Sequence, residues 1–400
     1  MTIENLFSNG QKLEFFTNAC YQSLNYYIET NLKVTEEKAD SSGKIDILEL
    51  DIYAKKFNGS FVDTTLIECK RGCSFNDLFM FSGISNVINA NRNVMIAVSK
   101  NLEDIKNQAT KLNIQILEPM ELYSSIDESK EYLFPMHYSW NEMKSSILSK
   151  EYIISSNESN KRLSKVQKAA YSEVRSYLSL LNGRIWREPD LFQKANAISN
   201  LLNSHKDFVR KIARLQAISP KNKSSQYYID SNQICQSAGV IVLEIKIAYI
   251  ICAVECAISQ IDIQNLEDEG FKNLVNILIA NIELAQYIPI FLQYFFNVFG
   301  GIYLNESEDI ANMSQVIGIS TTQFDSIITF LKKLFYIPEI NLLWGFEENL
   351  LTVCLKNTPN LYKAFGIINR NSLGFNTDMF VQKSEWLINY KIWRDNYEKN

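Results

Sequence analysis

Ile45-Asp-Ile-Leu-Glu-Leu-Asp-Ile-Tyr53 and Thr64-Thr-Leu-Ile-Glu-Cys-Lys70 are the two stretches on which the reading of this chain turns. They predict a pair of strands joined by a tight turn around Asn58 and Gly59. With a period of two, Glu49 and Asp51 share one face of the first strand while Leu50 and Ile52 take the other. On the second strand Glu68 and Lys70 share a face, with Ile67 and Cys69 opposite. A two-residue turn at Asn58 and Gly59 sets Glu68 against Glu49, and a four-residue turn over Asn58 to Phe61 sets it against Asp51. Both registers gather Glu49, Asp51, Glu68 and Lys70 on one side of the hairpin, whereas a one-residue slip scatters them.

Three carboxylates and an ammonium at that density are costly unless a divalent cation sits among them. Hard oxygen ligands select Mg²⁺ or Mn²⁺, and Mg²⁺ usually takes one or two carboxylates plus water and substrate phosphate. The chemistry that suits such a cluster is phosphodiester hydrolysis. A lysine beside it is placed to orient or deprotonate the attacking water, its pKa lowered by the cation and by partial burial. The alternative is a solvated hairpin face of alternating charge; the apolar opposite face weighs against it.

Asp51 followed by Glu68-Cys69-Lys70 resembles the D…(D/E)xK signature of the PD-(D/E)xK, or restriction-endonuclease-like, nuclease superfamily, particularly its Mrr-type members. The order of expected elements over about the first 125 residues is similar too. An opening helix from Gln11 to about Thr30 carries Glu14, a short strand near Leu32 to Thr35 follows, and then the hairpin. Next come an amphipathic helix from Phe75 to about Asn89, a buried strand Val94 to Val98, a polar helix Leu102 to Lys111 and a strand Ile114 to Leu117. The expected helix at Phe75 presents Leu78, Phe79, Phe81, Ile84, Val87 and Ile88 as a wide apolar face.

The resemblance implies an α/β nuclease domain with a mixed central sheet flanked by helices. It implies that Asp51 and Glu68 hold the metal, that Lys70 manages the nucleophilic water, and that Glu14 adds a ligand or an outer contact. No proline precedes Asp51, a departure from the family pattern. Glu49 is an extra acid on the same face, so either Glu49 or Asp51 serves as main ligand, with Asp51 preferred. Cys69 is expected to face the core and be inert.

The 400 residues are 46% hydrophobic, enough for two or three domains. The expected division is a nuclease-like domain over 1–128, a basic helical region over 129–230 and an apolar helical domain over 231–400, so the α/β part is followed by a large all-α region. The acidic start Met1-Thr-Ile-Glu-Asn5 does not read as a secretory signal. The apolar stretches Ala238 to Ile258 and Ile277 to Leu304 are interrupted by Glu244, Lys246, Glu255, Glu283 and several amides. They are expected to be bundle helices rather than membrane spans. Seven cysteines without framework spacing fit a reducing cytoplasm, the expected location. Cys69 with Cys73, and Cys252 with Cys256, lack suitable histidine partners for zinc, since the chain has only His137 and His205. No glycine-rich phosphate loop is present.

Net charge is −5, unevenly spread. From Lys150 to Asp230 fifteen Lys and Arg face seven Asp and Glu, whereas from Ser231 onward eleven face eighteen. Lys161, Arg162, Lys165 and Lys168 recur on one expected helical face, and Lys206, Arg210 and Arg214 on another. Two readings stand: phosphate-backbone contact, or the solvated side of amphipathic helices. Residues 310–333 resemble a helix-turn-helix around Gly318, with Gln323, Lys332 and Lys333 as candidate readers; a plain helical corner is the alternative. The expectation is therefore a Mg²⁺- or Mn²⁺-dependent deoxyribonuclease whose helical half binds substrate, oligomerises or gates activity. Family analogy suggests anti-phage defence, with DNA, a second copy or a partner protein as ligands and no membrane. A nuclease fold retained as a binding module, scaffold or sensor is the competing class.

Overall fold

The computed structural model describes residue 7 and residues 10–37, 44–88, 90–99, 102–126, 190–218, 245–299 and 314–334 except 316. The side chains of 11, 15, 19, 31–37, 44–47, 205–218, 294–299 and 332 lie outside that description. The chain divides into two compact units, the first built around residues 1–138.

The first unit is a mixed five-stranded sheet with flanking helices. Helix α1 (Gly10–Ser23) precedes β1 (Tyr27–Glu37), β2 (Lys44–Asn58) and β3 (Phe61–Lys70), which form an antiparallel meander. Helix α2 (Phe75–Val87) crosses to β4 (Arg92–Ala97), and α3 (Leu102–Lys111) to β5 (Gln115–Leu117), both strands parallel to β3; α4 (Pro119–Ser124) follows. The strands lie in sequence order. Parallel neighbours need a crossover, and the two expected helices, one amphipathic and one polar, supply it.

Local chemistry punctuates these elements. Helix α1 buries Leu13, Phe16, Thr17 and Cys20, one face at three- and four-residue spacing. It stops at Asn25, well short of the Thr30 expected from sequence. Asn25 has φ +65°, and the Tyr26 N–H returns to the Tyr21 carbonyl while the Asn25 N–H returns to that of Gln22. That is a left-handed C-cap, which frees residues 27–37 for an edge strand much longer than the one at Leu32 to Thr35. Asn113 ends α3 in the same way.

Core residues follow strand parity. Ile52, Ala54, Ile67, Cys69, Val94 and Ile96 pack with α1 residues and with Leu122 and Tyr123 of α4. The opposite parity buries Leu66, Met95 and Ala97, and α2 buries Leu78 and Phe81. Phe79 and Val87, expected on the buried face of α2, are instead exposed. The helix is apolar on two sides, so spacing alone does not reveal which side meets the sheet.

The second unit is helical among the described residues. It comprises α5 (Leu191–Ile218), α6 (residues 245–258), α7 (Glu269–Ile279), α8 (Ile282–Ala285), α9 (Ile288–Phe299) and α10 (Thr321–Leu334). Its core includes Ile198, Ile250, Val254, Phe271, Val275, Phe291, Phe324 and Leu331. Glu255, buried in α6, is neutralised by Lys194 of α5 at 3.1 Å. The apolar run from Ile277 breaks at Asn281, and the helices on either side bend by 97°. No single helix among the described residues is long and apolar enough to cross a membrane, although that bent pair would pass on length and composition.

Candidate metal centre

The β2–β3 ladder runs from Asn58↔Phe61 to Ile52↔Ile67 and ends there. Beyond that pair β2 continues only with β1, through Leu50↔Leu32 and Glu49↔Lys33, while β3 continues only with β4, through Glu68↔Met95 and Lys70↔Ala97. The sheet therefore forks, and Asp51 and Glu68 are the first residues past the split. One more step of the register would set them opposite each other. The turn chooses this arrangement: the Asn58 side-chain oxygen accepts from the Ser60 and Phe61 N–H groups, closing a four-residue turn. The alternative pairing of Glu68 with Glu49 is not formed.

Asp51 bridges the fork. Its Oδ2 accepts the Cys69 N–H at 2.9 Å, satisfying a backbone donor that the departing ladder leaves unpaired. Cys69 turns its thiol to the other side of the sheet, where Sγ donates to Thr17 Oγ1 of α1 at 3.5 Å and burial pushes its pKa well up. It is the inert core residue expected. Cys73 lies against Met95 on the opposite face, so Cys69 and Cys73 do not share a site.

Lys70 Nζ lies 2.6 Å from Glu68 Oε1, with the lysine side chain 35% exposed and the glutamate 12%. Burial and then the Asp51 charge raise Glu68 to about 7, despite the nearby lysine. Burial also raises Asp51, outweighing the Cys69 N–H and Lys70, which act the other way. Glu14 of α1 is raised by burial, then by the charges of Asp51 and Glu49. These mutual effects bring Glu14, Asp51, Glu68 and Lys70 into one electrostatic neighbourhood, with Glu49 exposed at its edge.

Lys70 behaves differently from expectation. Burial lowers its pKa, but the Glu68 hydrogen bond and the charges of Glu68, Asp51 and Asp77 outweigh burial and raise it. In this arrangement the lysine is the counter-ion of the acids. Asp77 was not singled out by sequence. It closes a capping box with Ser74 at the start of α2, accepting the Ser74 N–H at 2.8 Å, and so brings a further negative charge towards Lys70. The Ser74-x-x-Asp77 spacing is the signal that finds it.

Among the described residues, no group of three or more His, Cys, Asp or Glu side chains is gathered closely enough to hold an ion as it stands. A pair of carboxylates is nonetheless the usual protein contribution to Mg²⁺. Asp51 and Glu68 fit that role in donor chemistry, and burial raises the pKa of both, so a cation would favour their charged forms.

The other candidates divide by location. Lys161, Arg162, Lys165 and Lys168 lie outside the described residues. Lys206, Arg210 and Arg214 fall on one stripe of α5, four residues apart. In the segment resembling a helix-turn-helix, Gly318 has φ +79° and turns the chain into α10. Gln323 is engaged there: its Oε1 accepts the Ser320 N–H at 3.0 Å, capping the helix rather than reaching outward as a reader. Lys333 is exposed near the end of α10. Comparison with known proteins finds no matching family model, no matching curated protein and no matching solved structure.

Proposed function

We propose that the first unit is a divalent-metal-dependent nuclease of restriction-endonuclease-like fold, acting on the phosphodiester bonds of DNA. The observation that carries this reading is the fork. The ladder stops one residue before Asp51 and Glu68, and Lys70 follows on the same strand face. A continuous ladder would hold these side chains on a flat, water-washed surface. A fork sets them where the strands part, with a helix-borne acid, Glu14, close enough to feel the Asp51 and Lys70 charges.

Asp51 and Glu68 would hold Mg²⁺ or Mn²⁺, with Glu14 or Glu49 as an additional or outer contact. The ion, when bound, supplies charge for the scissile phosphate and acidifies water. Asp51 is already oriented by the Cys69 N–H, which fixes one carboxylate oxygen and leaves the other available. Lys70 supplies the mobile cation, close enough to Glu68 to share a water with it and exposed enough to meet a phosphate. The basic stripe of α5 suits backbone phosphates, and the resemblance to restriction-endonuclease-like proteins suggests a role in defence against phage.

The closed Glu68–Lys70 pair favours a second reading: a nuclease fold kept as a binding module, in which that ion pair is structural. A cleavage panel separates the two. Supercoiled plasmid, linear duplex, single-stranded DNA and RNA are incubated with Mg²⁺, Mn²⁺ or EDTA. The nuclease reading expects metal-dependent cutting of DNA, reduced by about 10²–10⁴-fold in Lys70→Ala and lost in Asp51→Asn and Glu68→Gln. Cutting that survives these substitutions would refute the site; silence of the wild type on every substrate would favour the binding module.

A further inference from the structure

Helix α2 turns an uncharged apolar face to solvent. Phe75, Phe79, Met80 and Val87 are 48, 64, 69 and 56% exposed, whereas Leu78 and Phe81 across the helix are buried. With Asn76, Gly83 and Asn86, also exposed, the four fall within one side of the helix, an arc of about 140° at 100° per residue. None of the seven carries a charge. Gly83 lies near the middle of the arc, and a Cβ there would meet nothing within 4 Å. Scattered apolar residues on a surface need no explanation, but four large ones on a single helix face do.

We propose that this face is a self-association surface, on which the α2 helices of two copies of the chain pack across Gly83. A two-fold contact sets a patch against itself, so a charge at the crossing would meet its own sign; this face carries none. The absence of cations equally disfavours phosphate-bearing partners. The four apolar side chains expose on the order of 500 Å² together, a large share of the roughly 800 Å² per partner in a standard interface. Asn76 and Asn86, whose amides both donate and accept, add self-complementary polar contacts beside the apolar residues. Glycine at the crossing lets two backbones approach closely. The interface stands independently of the nuclease reading. If both hold, two forks are carried on one assembly, because α2 begins five residues after Lys70.

Sedimentation equilibrium of the full chain at about 1–50 µM tests the proposal. The expected mass is twice 46.1 kDa, falling to 46.1 kDa in Phe79→Glu and in Met80→Lys with an unchanged circular dichroism spectrum. Gly83→Cys should form a covalent dimer on mild oxidation where wild type does not. A monomeric wild type throughout that range would overturn the proposal, as would a dimer that survives both charged substitutions. Unfolding of Phe79→Glu would overturn it too, because it would mean that the chain itself covers this face.

Discussion

Glu68 is held protonated up to about pH 7 by burial and by the neighbouring Asp51 carboxylate. In the unfolded chain it ionises near its ordinary value, so between that value and about 7 the folded state binds the extra proton. Its stabilising contribution is therefore complete at low pH and is lost as pH rises through about 7. Glu68→Gln should melt a few degrees above metal-free wild type at about pH 8 and level with it at about pH 5. Equal melting of the two proteins at both pH values would contradict this electrostatic picture. Asp51, Glu68 and Lys70 were legible from a period of two and two short strands. The state of Lys70 was not, because it depends on burial and on the hydrogen bond it makes to Glu68, neither of which strand parity shows.

Elements were legible where periodicity had one solution and ambiguous where it had two. The hairpin pattern allowed two registers, both consistent with the same face, and the one that forms carries the turn closed by the Asn58 side chain. Asn58→Ala should cost about 1 kcal/mol and loosen the fork. Helix α2 is apolar almost all round, so sequence put Phe79 on the same footing as Phe81. Phe81→Ala should destabilise by about 3–5 kcal/mol, whereas Phe79→Ala should stay within about 0.5 kcal/mol in the monomer. Urea denaturation at low protein concentration measures both, and similar losses would place Phe79 in the core. The early end of α1 was missed for a different reason. Nothing in the apolar pattern marks Asn25 as left-handed, although Asn is one of the few residues that adopts that conformation readily.

At the scale of the whole molecule, the sequence conveyed an α/β unit followed by a helical one, because period-two runs give way to three- and four-residue spacing after about residue 130. It did not convey how an acidic chain with a net charge of −5 would meet a polyanion. Under the nuclease reading, the Lys206, Arg210 and Arg214 positions of α5 would supply that contact. Replacing Lys206, Arg210 and Arg214 together by Glu should weaken duplex binding and flatten the logarithmic salt dependence by about three, or roughly 0.9 per lost contact. Filter binding from low to moderate salt reads both, and an unchanged slope would remove α5 from the interface.

The fork in the sheet is proposed to be a divalent-metal site. Electron paramagnetic resonance of Mn²⁺ titrated into the full chain near pH 8 tests it most directly, because bound and free ion are counted separately. Saturable Mn²⁺ binding that Mg²⁺ displaces is expected, abolished by Asp51→Asn and by Glu68→Gln and retained in Phe79→Glu. Absence of binding by wild type, or binding that survives both substitutions, would contradict it.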